Sequence, residues 1–181
     1  MSANAPRHLP GDWPAPAKAA ALRVDHAGEY GATRIYAGQL AVLKDHALAS
    51  ELRHMAAQEA EHLAAFNRLL PAHRVRPSAL MPLWHVAGWA LGAGTALMGP
   101  RAAMACTVAV ESVITEHYDA QLASGAVGDD LAPTIRRFRD EEMEHHDAGL
   151  AHGAEQAPGY ALLSGAIRGG CKAAIWLAAR V

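Results

Sequence analysis

The sequence has few of the residues from which sheets, disulfide scaffolds and nucleic-acid surfaces are built. Aromatic residues make up only 6% of the chain, and no alternating β-branched stretch bounded by hairpin turns is present. The formal net charge of −2 argues against nucleic-acid binding, which requires clustered positive charge. The two cysteines, Cys106 and Cys171, form no Cys-x-x-Cys pattern, so we expect free thiols in a reducing compartment.

The start of the chain lacks the patterns of targeting segments. It has neither a charged start followed by an apolar stretch nor an amphipathic Arg/Ser-rich segment, so a cytoplasmic location is expected. Prolines 6, 10, 14 and 16 fall close together, which predicts an extended N-terminal arm over residues 1–16. Residues 17–181 are long enough for a single domain with its own core.

Alanine-rich helical periodicity dominates the rest of the chain. Hydrophobic residues make up 51% of the sequence, and alanine is the strongest helix former and a poor strand former. Proline and glycine residues interrupt this pattern and divide it into six predicted helices. They cover about residues 17–47, 48–70, 78–99, 101–123, 132–152 and 160–181.

An internal repeat relates the two halves of the chain. An offset of 82 positions aligns Glu29, Thr33, Tyr36 and Gln39 with Glu111, Thr115, Tyr118 and Gln121. An offset of 83 positions aligns Glu59 and His62 with Glu142 and His145. The sequence therefore predicts one helical hairpin used twice, each copy followed by an apolar helix. Repeat 1 covers about residues 17–99, and repeat 2 covers about residues 100–181.

The repeated glutamates and histidines match a known set of metal ligands. Residues three apart share a helix face, so each Glu-x-x-His segment presents a carboxylate and an imidazole together. Ferritin-like di-iron bundles combine two such segments with one Glu from each of the other two helices. The sequence supplies the whole set in order, as Glu29, Glu59, His62, Glu111, Glu142 and His145. We therefore predict a ferritin-like four-helix bundle with two extra apolar helices.

Charge and ligand chemistry favour two divalent ions over a set of solvated surface charges. Apolar neighbours place the six residues on inward faces, where four carboxylates need compensating positive charge. Two divalent ions balance four glutamates, and mixed carboxylate and imidazole ligands suit Fe or Mn. A third pair, Glu51 and His54, has no copy in the second half and is predicted to lie on the surface.

Several residues near the predicted ligands have open roles. Tyr36 and Tyr118 lie two turns from glutamates, where they could relay protons, line a pocket or simply pack. His117 has no equivalent in the first copy, which indicates either a function on one side of the site or a surface role. Gly28 and Gly31 flank a ligand inside a helix, and we expect them to allow a close helix crossing.

The segment 78–99 contains no charged residue and is long enough to span a bilayer. A single span there would place the two halves of the ligand set on opposite sides of the membrane, so we predict that it does not cross. The segment 160–181 is similar, with three charged residues. Both segments either lie in the membrane interface or are buried in an oligomer interface.

Two stretches carry a family likeness. Residues 22–40 read LRVDHAGEYGATRIYAGQL, and residues 138–150 read FRDEEMEHHDAGL. They resemble the signatures of the demethoxyubiquinone hydroxylases of ubiquinone biosynthesis, and the likeness covers about residues 18–181. It implies a ferritin-like fold, two Fe ions on the six ligands, and O2-dependent hydroxylation of a polyprenyl benzoquinol.

The resemblance also implies a setting for the reaction. It implies a bacterial family member, peripheral on the cytoplasmic side of the cell membrane, with a homo-oligomer or accessory ubiquinone-biosynthesis proteins as partners. NADH would donate electrons near the C-terminal helix, where Trp176 and Arg180 stand at an aromatic and a basic family position. Tyr118 and His117 would line the approach of the ring. The alternative is a ferritin-like iron-storage or ferroxidase protein, which the two apolar segments do not suit.

Overall fold

The computed structural model describes residues 16–181 and contains only helices in that range. The helices are α1 (Pro16–Leu43), α2 (Ala49–Ala72), α3 (Met81–Leu97), α4 (Pro100–Ser124), α5 (Ala132–Ala151) and α6 (Tyr160–Ala178), with a short 3₁₀ turn at Ala154–Gln156. The all-α prediction is confirmed. The predicted arm lies outside the described residues except for Pro16, which opens α1.

Two helical hairpins build the bundle. Helices α1 and α2 pack together, as do α4 and α5, while α3 packs along α1 and α6 packs along α4. Each hairpin is thus followed by an apolar helix that covers the first helix of its own repeat. This architecture agrees with a ferritin-like bundle of two hairpins and two additional helices.

Local signals explain where the helices end. Gly125 adopts a left-handed conformation with φ 66° and closes α4, as glycine at a helix C-terminus commonly does. Helix α1 ends at Leu43, four residues before its predicted end, because the chain turns there. The His46 amide bonds the Leu43 carbonyl at 2.9 Å, and His46 Nδ1 accepts from the Leu48 amide.

Apolar side chains fill the bundle on both sides of its mid-length. One cluster includes Tyr36, Leu43, Leu52, Met55, Met104 and Val108. The other includes Leu22, Phe66, Leu70, Tyr118, Ile135 and Phe138. On each of the four bundle helices, the predicted metal ligands lie beside or between these clusters in sequence. The bundle therefore has apolar packing above and below a polar middle layer.

Glycines bring α3 against α1. A Cβ at Gly92 would overlap the carbonyl oxygen of Ile35, and a Cβ at Gly88 would lie 2.8 Å from the carbonyl oxygen of Gly31. Our expectation that Gly28 and Gly31 themselves permit a close crossing was wrong. A Cβ at either position would meet nothing within 4 Å.

Adding a methyl group at Gly92 should destabilise the fold. We expect Gly92→Ala to lower the free energy of unfolding by about 1–3 kcal/mol, because the new Cβ collides with backbone. Gly94→Ala is the control on the same helix, since its Cβ meets nothing within 4 Å. It should be neutral or stabilising by up to about 1 kcal/mol. Urea unfolding measures both, and equal effects would contradict this packing.

The outer faces of α3 and α6 are apolar. Large hydrophobic side chains stand exposed there, namely Leu83, Val86, Trp89, Leu97, Leu162 and Trp176. Within residues 16–181, no helix is long and apolar enough to cross a membrane.

Candidate metal centre

The four bundle helices bring all six predicted ligands together in the middle layer. They form two overlapping groups, in each of which one potential ligand atom per residue lies within 4.8 Å of the others. The first group contains Glu29, Glu59, His62 and Glu142, and the second contains Glu59, Glu111, Glu142 and His145. Every member is buried. Two residues, Glu59 and Glu142, belong to both groups.

The shared glutamates connect the two histidines. Glu142 Oε1 lies 3.1 Å from His62 Nδ1, and its Oε2 lies 3.3 Å from His145 Nδ1. Glu59 Oε1 lies 3.1 Å from His145 Nδ1, and its Oε2 lies 3.9 Å from His62 Nδ1. Each shared carboxylate therefore directs one oxygen toward each half of the cluster, as a bridging ligand does.

Glu29 and Glu111, the outer glutamates, each belong to only one ligand group. Each accepts a hydrogen bond from the other repeat. The Tyr36 hydroxyl donates to Glu111 Oε1 at 2.9 Å, and the Tyr118 hydroxyl donates to Glu29 Oε1. Each tyrosine thus holds the glutamate of the other repeat. Thr33 instead bonds the carbonyl of Tyr30 within its own helix.

Burial and mutual repulsion perturb the titration of the cluster. Burial raises the pKa of Glu59 and Glu111 well above its usual range, and the negative charge of Glu142 adds to the effect. Burial also acts to raise the pKa of Glu142, but the two imidazoles outweigh it and hold that pKa at about 2. The His62 pKa rises to about 11, because hydrogen bonds to Glu142 and Glu29 exceed the opposing effect of burial.

The donor set fits two metal ions. Several buried ligand atoms find no hydrogen-bond partner among the described residues, and they are Glu29 Oε2, both oxygens of Glu59, Glu111 Oε2, Glu142 Oε2 and His145 Nδ1. Orphaned buried acceptors are unfavourable unless a cation takes their place. Two divalent ions would occupy these atoms and balance the four carboxylates.

A largely apolar cavity of about 570 Å³ reaches the cluster. Helices α1, α3, α4 and α6 form its walls, and its polar lining residues include Glu29, Asp25, His117 and Tyr118. Gly28 and Gly31 also line it. Their missing side chains therefore leave space beside a ligand rather than admit a neighbouring helix.

A buried aspartate orients the predicted His117. Asp25 Oδ1 lies 3.1 Å from His117 Nε2 and accepts from Gln121 Nε2 at 2.6 Å. Burial raises the pKa of Asp25, and these two partners oppose that shift. Sequence reasoning missed Asp25. The 82-position offset could have found it, because it pairs Asp25 with Thr107 just as it pairs Gln121 with Gln39.

Other predicted residues lie away from the cavity. The Arg180 guanidinium stacks 4.0 Å over the Trp176 ring, and both side chains stand at the end of α6 without lining the cavity. Glu51 and His54 take no part in either ligand group. Both cysteines are free, as predicted, and Cys171 lines the cavity.

Fold and site together define a ferritin-like helical protein whose buried glutamates and histidines could hold two metal ions. The chain belongs to the family described as "Ubiquinone biosynthesis protein COQ7", whose family model matches residues 17–178. The family expected from the two signature stretches is therefore confirmed.

Curated relatives align over most of the chain. A Rhodospirillum rubrum protein named "3-demethoxyubiquinol 3-hydroxylase" is 57% identical over 179 residues, 96% of this chain and 83% of that protein. The mouse "NADPH-dependent 3-demethoxyubiquinone 3-hydroxylase, mitochondrial" is 57% identical over 164 residues, 88% of this chain and 76% of that protein. The yeast "5-demethoxyubiquinone hydroxylase, mitochondrial" is 44% identical over 178 residues, with 88% and 76% covered. The mouse name specifies NADPH rather than the expected NADH.

The shared glutamates should control metal content. We expect about two iron ions per chain, and less than half of that in Glu59→Ala or Glu142→Ala, because each residue belongs to both ligand groups. Glu51→Ala, which alters the unrepeated pair on the same helix as Glu59, should retain full iron. Metal analysis of the purified variants measures this, with circular dichroism to confirm folding. Equal iron loss in all three variants would contradict the ligand assignment.

Proposed function

We propose that this chain uses O2 to hydroxylate a demethoxy polyprenyl benzoquinol in ubiquinone biosynthesis, with two iron ions held by the six-residue cluster. The observation that carries the proposal is the largely apolar cavity lined by Glu29 of that cluster. The names of the relatives from Rhodospirillum rubrum, mouse and yeast support the same reaction. The chain is accordingly an oxidoreductase.

The cavity suits an aromatic ring with a lipid tail. Its volume of about 570 Å³ lies in the range of small-molecule sites, and its walls are mostly apolar. The same α3 and α6 that form two walls expose hydrophobic side chains on their outer faces. A lipid-tailed quinol would pass from that outer surface to the polar end of the cavity, while the walls exclude water from the cluster.

The cluster would hold iron through both ligand groups. Glu59 and Glu142 would contact both ions, with Glu29 and His62 completing one position and Glu111 and His145 the other. Two ferrous ions would supply electrons and open positions for the reduction of O2. Tyr36 and Tyr118 fix the outer glutamates by hydrogen bonds and so keep their second oxygens directed inward.

His117 is placed to handle a proton of the ring hydroxyl. His117 Nε2 lies 3.1 Å from Asp25 Oδ1 and 2.7 Å from Gln121 Nε2, and because an ionised Asp25 can only accept, we propose the tautomer that carries the proton on Nε2. That tautomer leaves Nδ1 as an acceptor for a quinol O–H. Tyr118 lies next to it in the lining, with its hydroxyl on Glu29. A quinol offers the required donor, whereas a quinone offers only acceptors.

The reaction balances with an external electron donor. One oxygen atom of O2 enters a ring C–H bond to form C–OH, and the other leaves as water after taking up two electrons and two protons. We propose a nicotinamide as their source, with Trp176 and Arg180 at the end of α6 as its contact site. The two side chains stack on each other at the surface, which presents an aromatic face and a cation together.

Oxygen labelling tests this reaction. Iron-loaded protein, a short-tailed demethoxy-quinol and either NADH or NADPH are incubated under labelled O2, and the product is analysed by mass spectrometry. We expect one labelled oxygen in the ring. Rapid iron oxidation without ring hydroxylation, whichever reductant is supplied, would contradict the proposal and favour the iron-storage or ferroxidase alternative.

Two variants on α4 provide the matched control for that experiment. His117→Ala should lower hydroxylation about 100-fold or more, because it removes the proton acceptor while leaving all six ligands. Asp119→Asn alters an exposed side chain on the same helix as His117, 3.5 Å from Arg139 of α5, and it should keep full activity. Both variants should retain wild-type iron content.

We further propose a peripheral position on the cytoplasmic side of the cell membrane. The exposed side chains of α3 and Leu162 of α6 would enter the interface, while the bundle and the contact site at Trp176 and Arg180 stay in water. The basic groups of α6 are directed to Glu116 on α4, with Arg168 at 2.5 Å and Lys172 at 3.1 Å. The outer apolar face is thereby left without these charges.

Removing apolar side chains from α3 should weaken binding to lipid vesicles. We expect Leu83→Ser, Val86→Ser and Trp89→Ser combined to reduce binding to phosphatidylglycerol-containing vesicles at least tenfold, from about 1.5–3 kcal/mol per buried side chain. Met143→Ser removes an exposed hydrophobic side chain from α5, which packs against neither apolar helix, and should have no effect. Co-sedimentation measures binding. The alternative is that the apolar faces are buried between copies of this chain. It would be favoured if the wild-type protein does not bind vesicles, forms dimers, and loses those dimers in the triple variant.

A further inference from the structure

The two histidines of the cluster differ in the partner of their outer nitrogen, Nε2, which points away from the shared glutamates. His62 Nε2 lies 2.5 Å from Glu141 Oε2, and His145 Nε2 lies 3.0 Å from Gln58 Oε1. Glu141 and Gln58 occupy the same position of the two repeats, immediately before a bridging glutamate. Each reaches across to the histidine of the other repeat. Equivalent positions of the two repeats therefore place a carboxylate beside Nε2 of His62 and a neutral amide beside Nε2 of His145.

The inner nitrogens, Nδ1 of each histidine, meet a shared glutamate at the same distance, and His62 Nδ1 lies in addition 3.3 Å from Glu29 Oε2. His62 Nδ1 lies 3.1 Å from Glu142 Oε1, and His145 Nδ1 lies 3.1 Å from Glu59 Oε1. The outer glutamates of both groups accept a tyrosine hydroxyl from the opposite repeat. The partner of Nε2, a carboxylate for His62 and an amide for His145, is the difference that exchanging one pair of residues can test.

A neighbouring cation lies beside Glu141. Arg137 Nη1 lies 3.4 Å from Glu141 Oε1, one helical turn away, and its guanidinium stacks 4.6 Å over the Phe138 ring. That ring in turn lies 4.2 Å from the His62 ring. Arg137, Glu141 and His62 thus form a continuous chain that ends at the cluster.

An ionised carboxylate is a stronger acceptor for an imidazole N–H than a neutral amide is. By drawing on the outer N–H, it makes the inner nitrogen more basic and a better metal ligand, and such partners commonly change metal affinity 10–100-fold. The His62 position has this support, and the His145 position has only an amide.

We infer that the two metal positions are unequal and that Glu141 causes the inequality: the position built on His62 binds a divalent cation more tightly and fills first. This inference rests on the metal-binding part of the proposed function and requires neither the substrate nor the reaction. Glu29, which completes the tighter position, lines the cavity, whereas Glu111 does not. The firmly held ion therefore lies on the cavity side, and the ion at His145 is the more readily exchanged.

Exchange of the two outer partners tests the inference. Metal-stripped full-length protein is titrated with Fe(II) under anaerobic conditions by calorimetry, without quinol. We expect two resolved binding steps in the wild type. Glu141→Gln should weaken the tighter step about 10–100-fold and bring the two steps together. Gln58→Glu should strengthen the weaker step by a similar factor.

The double variant Gln58→Glu/Glu141→Gln is the matched control. It keeps one carboxylate and one amide, so two unequal steps should return with the tighter one now at His145. Circular dichroism and thermal melting show whether each variant folds, and the gain in affinity of Gln58→Glu cannot arise from misfolding.

The outcomes separate the inference from the proposed function. Unchanged dissociation constants in Glu141→Gln, or weaker binding in Gln58→Glu, would overturn the inference while leaving the metal centre intact. A double variant that fails to recover two steps would assign Glu141 a merely structural role and would likewise overturn it. Wild-type protein that binds no Fe(II) would overturn both.

Discussion

Burying four carboxylates at one level of a helical bundle is unfavourable, and the rest of the architecture depends on how that charge is balanced. Burial and the charge of neighbouring glutamates raise the pKa of Glu59 and Glu111, while the imidazoles of His62 and His145, which lower the pKa of Glu142, supply only part of the compensation. Two tyrosine hydroxyls take one oxygen of each outer glutamate. The remaining inward oxygens converge on two small regions, and cations are the groups that satisfy them most completely.

The apolar packing is arranged around this polar layer. One hydrophobic cluster closes the bundle on each side of it, so water has no short path along the bundle axis. Access is instead lateral, through a cavity walled by the two helices that stand outside the bundle. Close contact of α3 with α1 at Gly88 and Gly92 fixes one wall, while Gly28 and Gly31 keep the space next to it open. Small residues therefore serve opposite purposes on facing helices.

Sequence reasoning predicted the ligands better than their surroundings. Glu29, Glu59, His62 and their copies could be identified because helical spacing and the repeat offset fix which face they share. The contacts of His117 with Asp25 and of His62 with Glu141 could not, because each joins helices from different repeats and depends on how those helices are rotated. The glycine prediction failed for a related reason. Periodicity shows that a residue faces inward, but not whether a helix or a cavity lies opposite.

The hydrogen bonds that each repeat makes to the ligands of the other also affect how the sequence of such a chain can evolve. Each half supplies hydrogen bonds to the ligands of the other, so a symmetric pair of separate hairpins would already contain every interaction that the two copies share. In such a pair, however, every substitution would appear twice. Joining the hairpins in one polypeptide lets a change act on one side only, as the Gln58 and Glu141 pair and the Asp25 and Thr107 pair illustrate. Covalent linkage thereby separates the evolution of the metal layer from that of the substrate cavity, while the common scaffold of both halves is retained.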